Sequence, residues 1–153
     1  MNWKTILVPH DFSSSANHAA AIARDEAKSH GAKLILLHVI QMPTHMEPDA
    51  VIMPEGTGAP IKFRDYAMSQ GEAHLKDLVE RLAKDGVSAT SFLRIGNPVD
   101  EILTFADENA CDLIVMGTHG RSGLQALLVG SVTERVVRTS KKPVLTIRHP
   151  DKH

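Results

Sequence analysis

Two rhythms of apolar residues alternate along the chain. Short unbroken runs at 6–8, 34–37 and 113–116 have the length and β-branched content of strands buried on both faces, as in a parallel sheet. Between them, apolar residues return every three or four positions, the spacing of one helical face. The first run follows Thr5 and closes at Pro9, which cannot donate to a ladder. Ala16, Ala19, Ala20, Ala23 and Ala27 then mark a helix that Ser13, Ser14 or Ser15 can cap and that Gly31 follows. A face made almost entirely of alanine lets such a helix lie close to a sheet. A second strand is predicted over 33–40.

Between 61 and 84 the spacing of Leu75, Leu78, Val79 and Leu82 predicts a helix. Its charged pairs Glu72/Lys76, Asp77/Arg81 and Glu80/Lys84 belong to a solvated face, each contributing about 0.3–0.5 kcal/mol. Gly86 ends that helix, and a third strand falls within 87–95. Asn97 and Pro98 then form a capped helix start, with Asp100 and Glu101 in the first turn where the helix dipole favours them, and the helix runs to about Asn109. The fourth strand occupies the run after Asp112, a helix extends through Arg138 or Ser140, and a fifth strand covers 143–148. From 41 to 60 the chain carries Pro43, Pro48, Pro54, Pro60, Gly56 and Gly58, which predicts a long flexible loop.

Strands alternating with helical crossovers predict one α/β domain over residues 1–153, an open five-stranded parallel sheet with helices on both faces. If the strand order is 3-2-1-4-5, the order reverses between strands one and four, and ligands of such sheets bind beyond the strand carboxyl ends at that point. The Asp11 turn and the loop starting at Gly117 would then be neighbours.

Composition narrows the function classes. A formal net charge of -1 disfavours sequence-independent nucleic-acid binding. No stretch reaches the roughly 18 apolar residues of a membrane span, so no membrane role is expected and the cytoplasm is the default location. Cys111 is the single cysteine and reads as a small core residue.

The chemistry concentrates after the fourth strand. Gly117, Gly120, Gly130 and Ser131 are spaced G-x2-G-x9-G-[ST], and a loop of this kind brings backbone N–H groups close to an anion where no Cβ interferes. Neither a G-x4-G-K-[ST] loop nor a G-x-G-x-x-G after strand one is present. Arg121 can either face solvent or add a charge-assisted phosphate contact. Asp11 has two competing roles, a ribose partner or a cap for the helix that follows it. His10, His38 and His119 are the histidines nearest this region, and their spacing matches no helical zinc motif, so a structural role is expected for each.

These residues, with the run Ile6, Leu7, Val8, Pro9, His10, Asp11 and the stretch from Met116 to Gly123, resemble the nucleotide-binding branch of the universal stress protein family over almost the whole chain. The resemblance implies a flavodoxin-like, adenine-nucleotide-binding fold, ATP as ligand, and a homodimer paired through strand 143–148. It implies that Asp11 accepts hydrogen bonds from ribose hydroxyls, that Val39 binds adenine through its backbone, and that Pro9 lines the same pocket. It further implies that Gly117 and Gly120 let the loop approach the phosphates, while Gly130 and Ser131 meet them at a helix start. Met116 and Val132 flank these positions and complete the expected site. Mg²⁺ can accompany the triphosphate oxygens, which need few protein carboxylates, and the sequence holds no dedicated metal cage.

Three functions are open at this point. The first is a stress-response regulatory module that holds ATP. The second is a slow ATPase or self-phosphorylating enzyme, for which His119 is the nearest candidate base and no other catalytic residue is identifiable. The third is an interaction scaffold without nucleotide function, against which the intact glycine motif argues.

Overall fold

The computed structural model describes residues 1–119 and 129–150. Five strands form one parallel sheet: β1 (Thr5–Pro9), β2 (Lys33–Ile40), β5 (Ala89–Ile95), β6 (Leu113–Gly117) and β7 (Val144–Ile147). Their order is β5-β2-β1-β6-β7, which is the expected 3-2-1-4-5 arrangement of the five predicted strands. Among the described residues four helices connect them: α1 (Ser14–His30), α2 (Phe63–Lys84), α3 (Pro98–Glu108) and α4 (Ser131–Thr139).

Strand alternation assigns each face its helices. Ile6, Val8, Leu34, Leu36, Leu113 and Val115 pack on one face with the alanines of α1 and with Leu75, Leu78 and Leu82 of α2. Leu7, Ile35, Leu37, Ile114 and Met116 face the other way, onto Val99, Ile102 and Phe105 of α3 and Val136 of α4. Both faces of β1 and β6 are therefore dry, which is why those strands read as continuous apolar runs. Cys111 is fully buried in the second layer, and burial, with a smaller contribution from Asp112, pushes its thiol up to about 11.

Of the three candidate serines, Ser13 caps α1: its hydroxyl accepts from the Ala16 N–H at 3.1 Å. Asn97 caps α3 in the same way through Asp100 N–H. Gly71 sits where α2 presses on the sheet, since a Cβ there would lie 2.6 Å from the Leu93 side chain and 3.3 Å from His38.

The segment expected as an unstructured loop over 41–60 carries a small antiparallel pair, β3 (Val51–Ile52) with β4 (Ile61–Lys62). Helix α2 accordingly begins at Phe63 rather than Ile61, with Phe63 N–H bonded to the Ala50 carbonyl at 2.8 Å. Two-residue strands are too short to produce a periodic signal in the sequence. Among the described residues, no helix is long and apolar enough to cross a membrane.

Candidate functional site

The sheet order reverses between β1 and β6, and a cavity of about 580 Å³ opens there at the strand carboxyl ends. Of the ten residues expected from sequence to form the site, eight line this cavity: Pro9, Asp11, Val39, Met116, Gly117, Gly130, Ser131 and Val132. They come from the ends of β1, β2 and β6 and the start of α4, so only the parallel order of the sheet brings them together. Gly120 and Arg121 lie outside the described residues. Among the described residues of the lining none is lysine or arginine.

The end of β6 and the start of α4 are tied together. The Gly130 N–H donates to the Thr118 carbonyl at 2.6 Å, and the Thr133 hydroxyl donates to the Gly117 carbonyl at 2.8 Å. These bonds place the first turn of α4, with its N–H groups and positive dipole end, on the cavity wall. Gly130 is the N-cap itself rather than a helix-interior residue, with φ -59° and ψ 150°, a conformation open to any residue. The lack of a side chain, not backbone freedom, distinguishes glycine at this position.

Gly117 has a different reason for being glycine. A Cβ there would lie 2.8 Å from the carbonyl oxygen of Ser15 and 2.9 Å from its carbonyl carbon, and would also meet the Ser15 hydroxyl. The closeness of α1 to β6 therefore requires glycine at 117 whether or not a ligand is present.

Asp11 lies on the cavity wall and accepts the Ser13 N–H through Oδ1 at 3.0 Å. The near-cap role weighed from sequence is thus present, alongside a position facing the ligand space. The next residue, Phe12, has φ 65°, a left-handed conformation that costs a non-glycine residue of order 1 kcal/mol or more. Its ring packs against three imidazoles, with centroid separations of 5.4 Å to His10, 4.4 Å to His38 and 4.8 Å to His74.

Two of these histidines have tautomers set by their partners. Nδ1 of His10 accepts the Phe12 N–H at 3.0 Å, so the ring proton is on Nε2, which donates to Asn17 Oδ1 at 3.1 Å. Nδ1 of His38 faces the His10 carbonyl at 2.8 Å and must donate to it, because a carbonyl only accepts. His119 is buried, with Nδ1 2.9 Å from the Thr118 hydroxyl and its backbone N–H directed at the Ser15 hydroxyl at 3.4 Å.

Burial drives the His10 pKa down from 6.5 to about 4, against smaller upward effects of the Asp11 charge and the Asn17 hydrogen bond. The unfolded chain therefore binds more protons than the folded one between these values. The stability contributed by neutral His10 is complete above pH 6.5 and is lost as the pH falls toward 4, amounting to about 3 kcal/mol. Thermal melts should show the wild-type midpoint dropping more steeply across that window than that of His10→Asn. Parallel curves would show that His10 does not titrate in this way.

The sequence did not reveal the α2 wall of the cavity, made by Phe63, Tyr66, Gln70 and His74. Helical periodicity marks the side of α2 that meets the sheet, but not which of its first turns overhangs the sheet edge.

The universal stress protein family model matches residues 2–148. A universal stress protein from Methanocaldococcus jannaschii is 33% identical over 150 residues, spanning 98% of this chain and 85% of the relative. Among solved structures, a universal stress protein in complex with cAMP is 26% identical, with a TM-score of 0.70 and coverage of 97% of this chain and 98% of that one. The universal stress protein from Archaeoglobus fulgidus in complex with dAMP is 25% identical, with a TM-score of 0.69 and coverage of 96% and 99%. Sequence similarity along nearly the full length, together with the shared fold, places this chain in the universal stress protein family.

Proposed function

We propose that this protein binds an adenine nucleotide, ATP in the first instance, and acts as a nucleotide-dependent regulatory module. The observation that carries this reading is the gathering of Pro9, Asp11, Val39, Met116, Gly117, Gly130, Ser131 and Val132 around one cavity at the reversal of strand order. Val39 and Met116, with Ile102 of α3, offer an apolar wall for a base. Asp11 suits the hydroxyls of a ribose, and the start of α4 suits phosphate oxygens, since N–H groups at a helix N-terminus attract anions. The cAMP and dAMP complexes of similar proteins support an adenine nucleotide as the ligand class.

Holding the nucleotide is favoured over hydrolysing it. His119, the candidate base, lines the cavity with Nδ1 engaged to the Thr118 hydroxyl at 2.9 Å, and the described lining holds no lysine or arginine to stabilise charge on a transferring phosphoryl group. Pairing of two copies through β7 belongs to the same reading: β7 is the last strand of the sheet, and Leu145 on it and Val137 on neighbouring α4 are exposed.

Calorimetry on nucleotide-stripped, folded protein tests the reading. Micromolar ATP binding is expected, with a dimer by sedimentation of the same sample. A clean absence of binding would overturn the nucleotide assignment, and a monomer would overturn the pairing.

A further inference from the structure

We propose that His10 is a positioning residue for nucleotide recognition: as a neutral imidazole it fixes the Phe12 N–H, and with it the left-handed turn that presents Asp11 to the ribose. This deepens the nucleotide reading and rests on it. The turn from 10 to 13 is pinned around Asp11. The backbone N–H of His10 bonds to the Leu37 carbonyl at 2.8 Å, tying the residue before Asp11 to β2. The His10 carbonyl receives the His38 ring, and the Phe12 N–H, immediately after Asp11, is held by the His10 ring.

Phe12 has no local reason to adopt φ 65°, because only glycine enters that region without penalty. The hydrogen bond to His10 Nδ1 and the packing of the Phe12 ring against His10, His38 and His74 offset the penalty. The His10 ring is itself fixed, since it is 3% exposed and its Nε2 donates to Asn17 on α1. A chain thus runs from α1 through Asn17, His10 and Phe12 to the carboxylate of Asp11; its last three members line the cavity, and the role assigned to His10 is the hold on the turn rather than a contact of its own. Preorganising one carboxylate in this way removes the ordering cost that binding would otherwise carry.

The probe pair is ATP and 2′,3′-dideoxy-ATP, which differ only in the hydroxyls that Asp11 would receive. Wild-type protein should bind ATP about tenfold more tightly than the dideoxy form, the size of one hydrogen bond to a charged group. In His10→Ala the ATP affinity should fall about tenfold while the dideoxy affinity stays, bringing the ratio near one. His10→Asn places an amide oxygen where Nδ1 stands and should restore most of the preference. In an Asp11→Ala background, His10→Ala should have no further effect, because the two act through one contact.

A ratio that survives in His10→Ala, or equal losses for both ligands, overturns the inference while leaving ATP binding in place. A wild-type ratio of one overturns the ribose role of Asp11 and this inference with it. Asn17→Ala keeps the test available should His10→Ala not fold. Asn17 is exposed, and its loss frees the imidazole from α1, so a partial fall in the ratio is expected and an unchanged ratio counts against the inference.

Discussion

Gly117→Val is expected to unfold this protein about 10 °C below the wild type, whether or not nucleotide is present, as read by circular dichroism. The new Cβ would stand 2.8 Å from the Ser15 carbonyl oxygen and 2.9 Å from its carbon, distances that real Cβ atoms do not show. Those are backbone atoms in the first turn of α1, so no side chain can rotate to make room. The helix cannot shift as a body either, because Ala19, Ala20, Ala23 and Ala27 seat it against β1 and β6. Overpacking of this kind costs about 3 kcal/mol, and in a domain of this size each kcal/mol moves the midpoint by roughly 2–4 °C. A midpoint within about 2 °C of wild type would show that α1 has slack in this direction.

The same substitution three residues later should do the opposite. Gly120→Val is expected to leave the melting midpoint in place and weaken ATP binding by about a hundredfold or more. Gly120 lies outside the described residues, and the expectation comes from its spacing to Gly117 and Gly130: a loop whose N–H groups approach phosphate oxygens has no room for a branched side chain. Calorimetry and a melt on one preparation decide it. Unchanged affinity would mean that the loop does not carry the phosphates, and a collapsed melt would give Gly120 the structural role assigned to Gly117.

The contrast bears on what a glycine motif means. In the sequence, Gly117 and Gly120 look equivalent, two small residues ahead of a helix. The first is explained by Ser15, more than a hundred positions away in the chain, and nothing local to residues 112–120 announces that neighbour. Asp11 is similar in kind. A cap and a ligand contact demand the same residue type at the same place, and the structure shows the carboxylate accepting the Ser13 N–H while it lines the cavity.

Five strands, four helices and their order could be read from the chain because each is long enough to show its period. Runs such as 6–8 and 113–116 are apolar at every position since both sheet faces are covered, and α1 advertises its close packing through alanine. The β3–β4 pair could not be read, with only two residues in each strand. Ser13 could not be told from its two serine neighbours, because capping depends on backbone angles, here φ -76° and ψ 162°, that all three residues can adopt.

By itself, then, the sequence determined the α/β class and the alternation of strands and helices, because periodicity is a local property, and its glycine spacing marked a candidate anion loop. The tertiary structure decided which of the expected site residues share a cavity, why Gly117 must be glycine, and that imidazoles hold the Asp11 turn. Those outcomes depend on contacts between segments far apart in the chain: β1 with β2 and β6, α1 with Gly117, and the ring of Phe12 with His38 and His74. Such contacts exist only once the sheet has paired and its helices have closed over both faces.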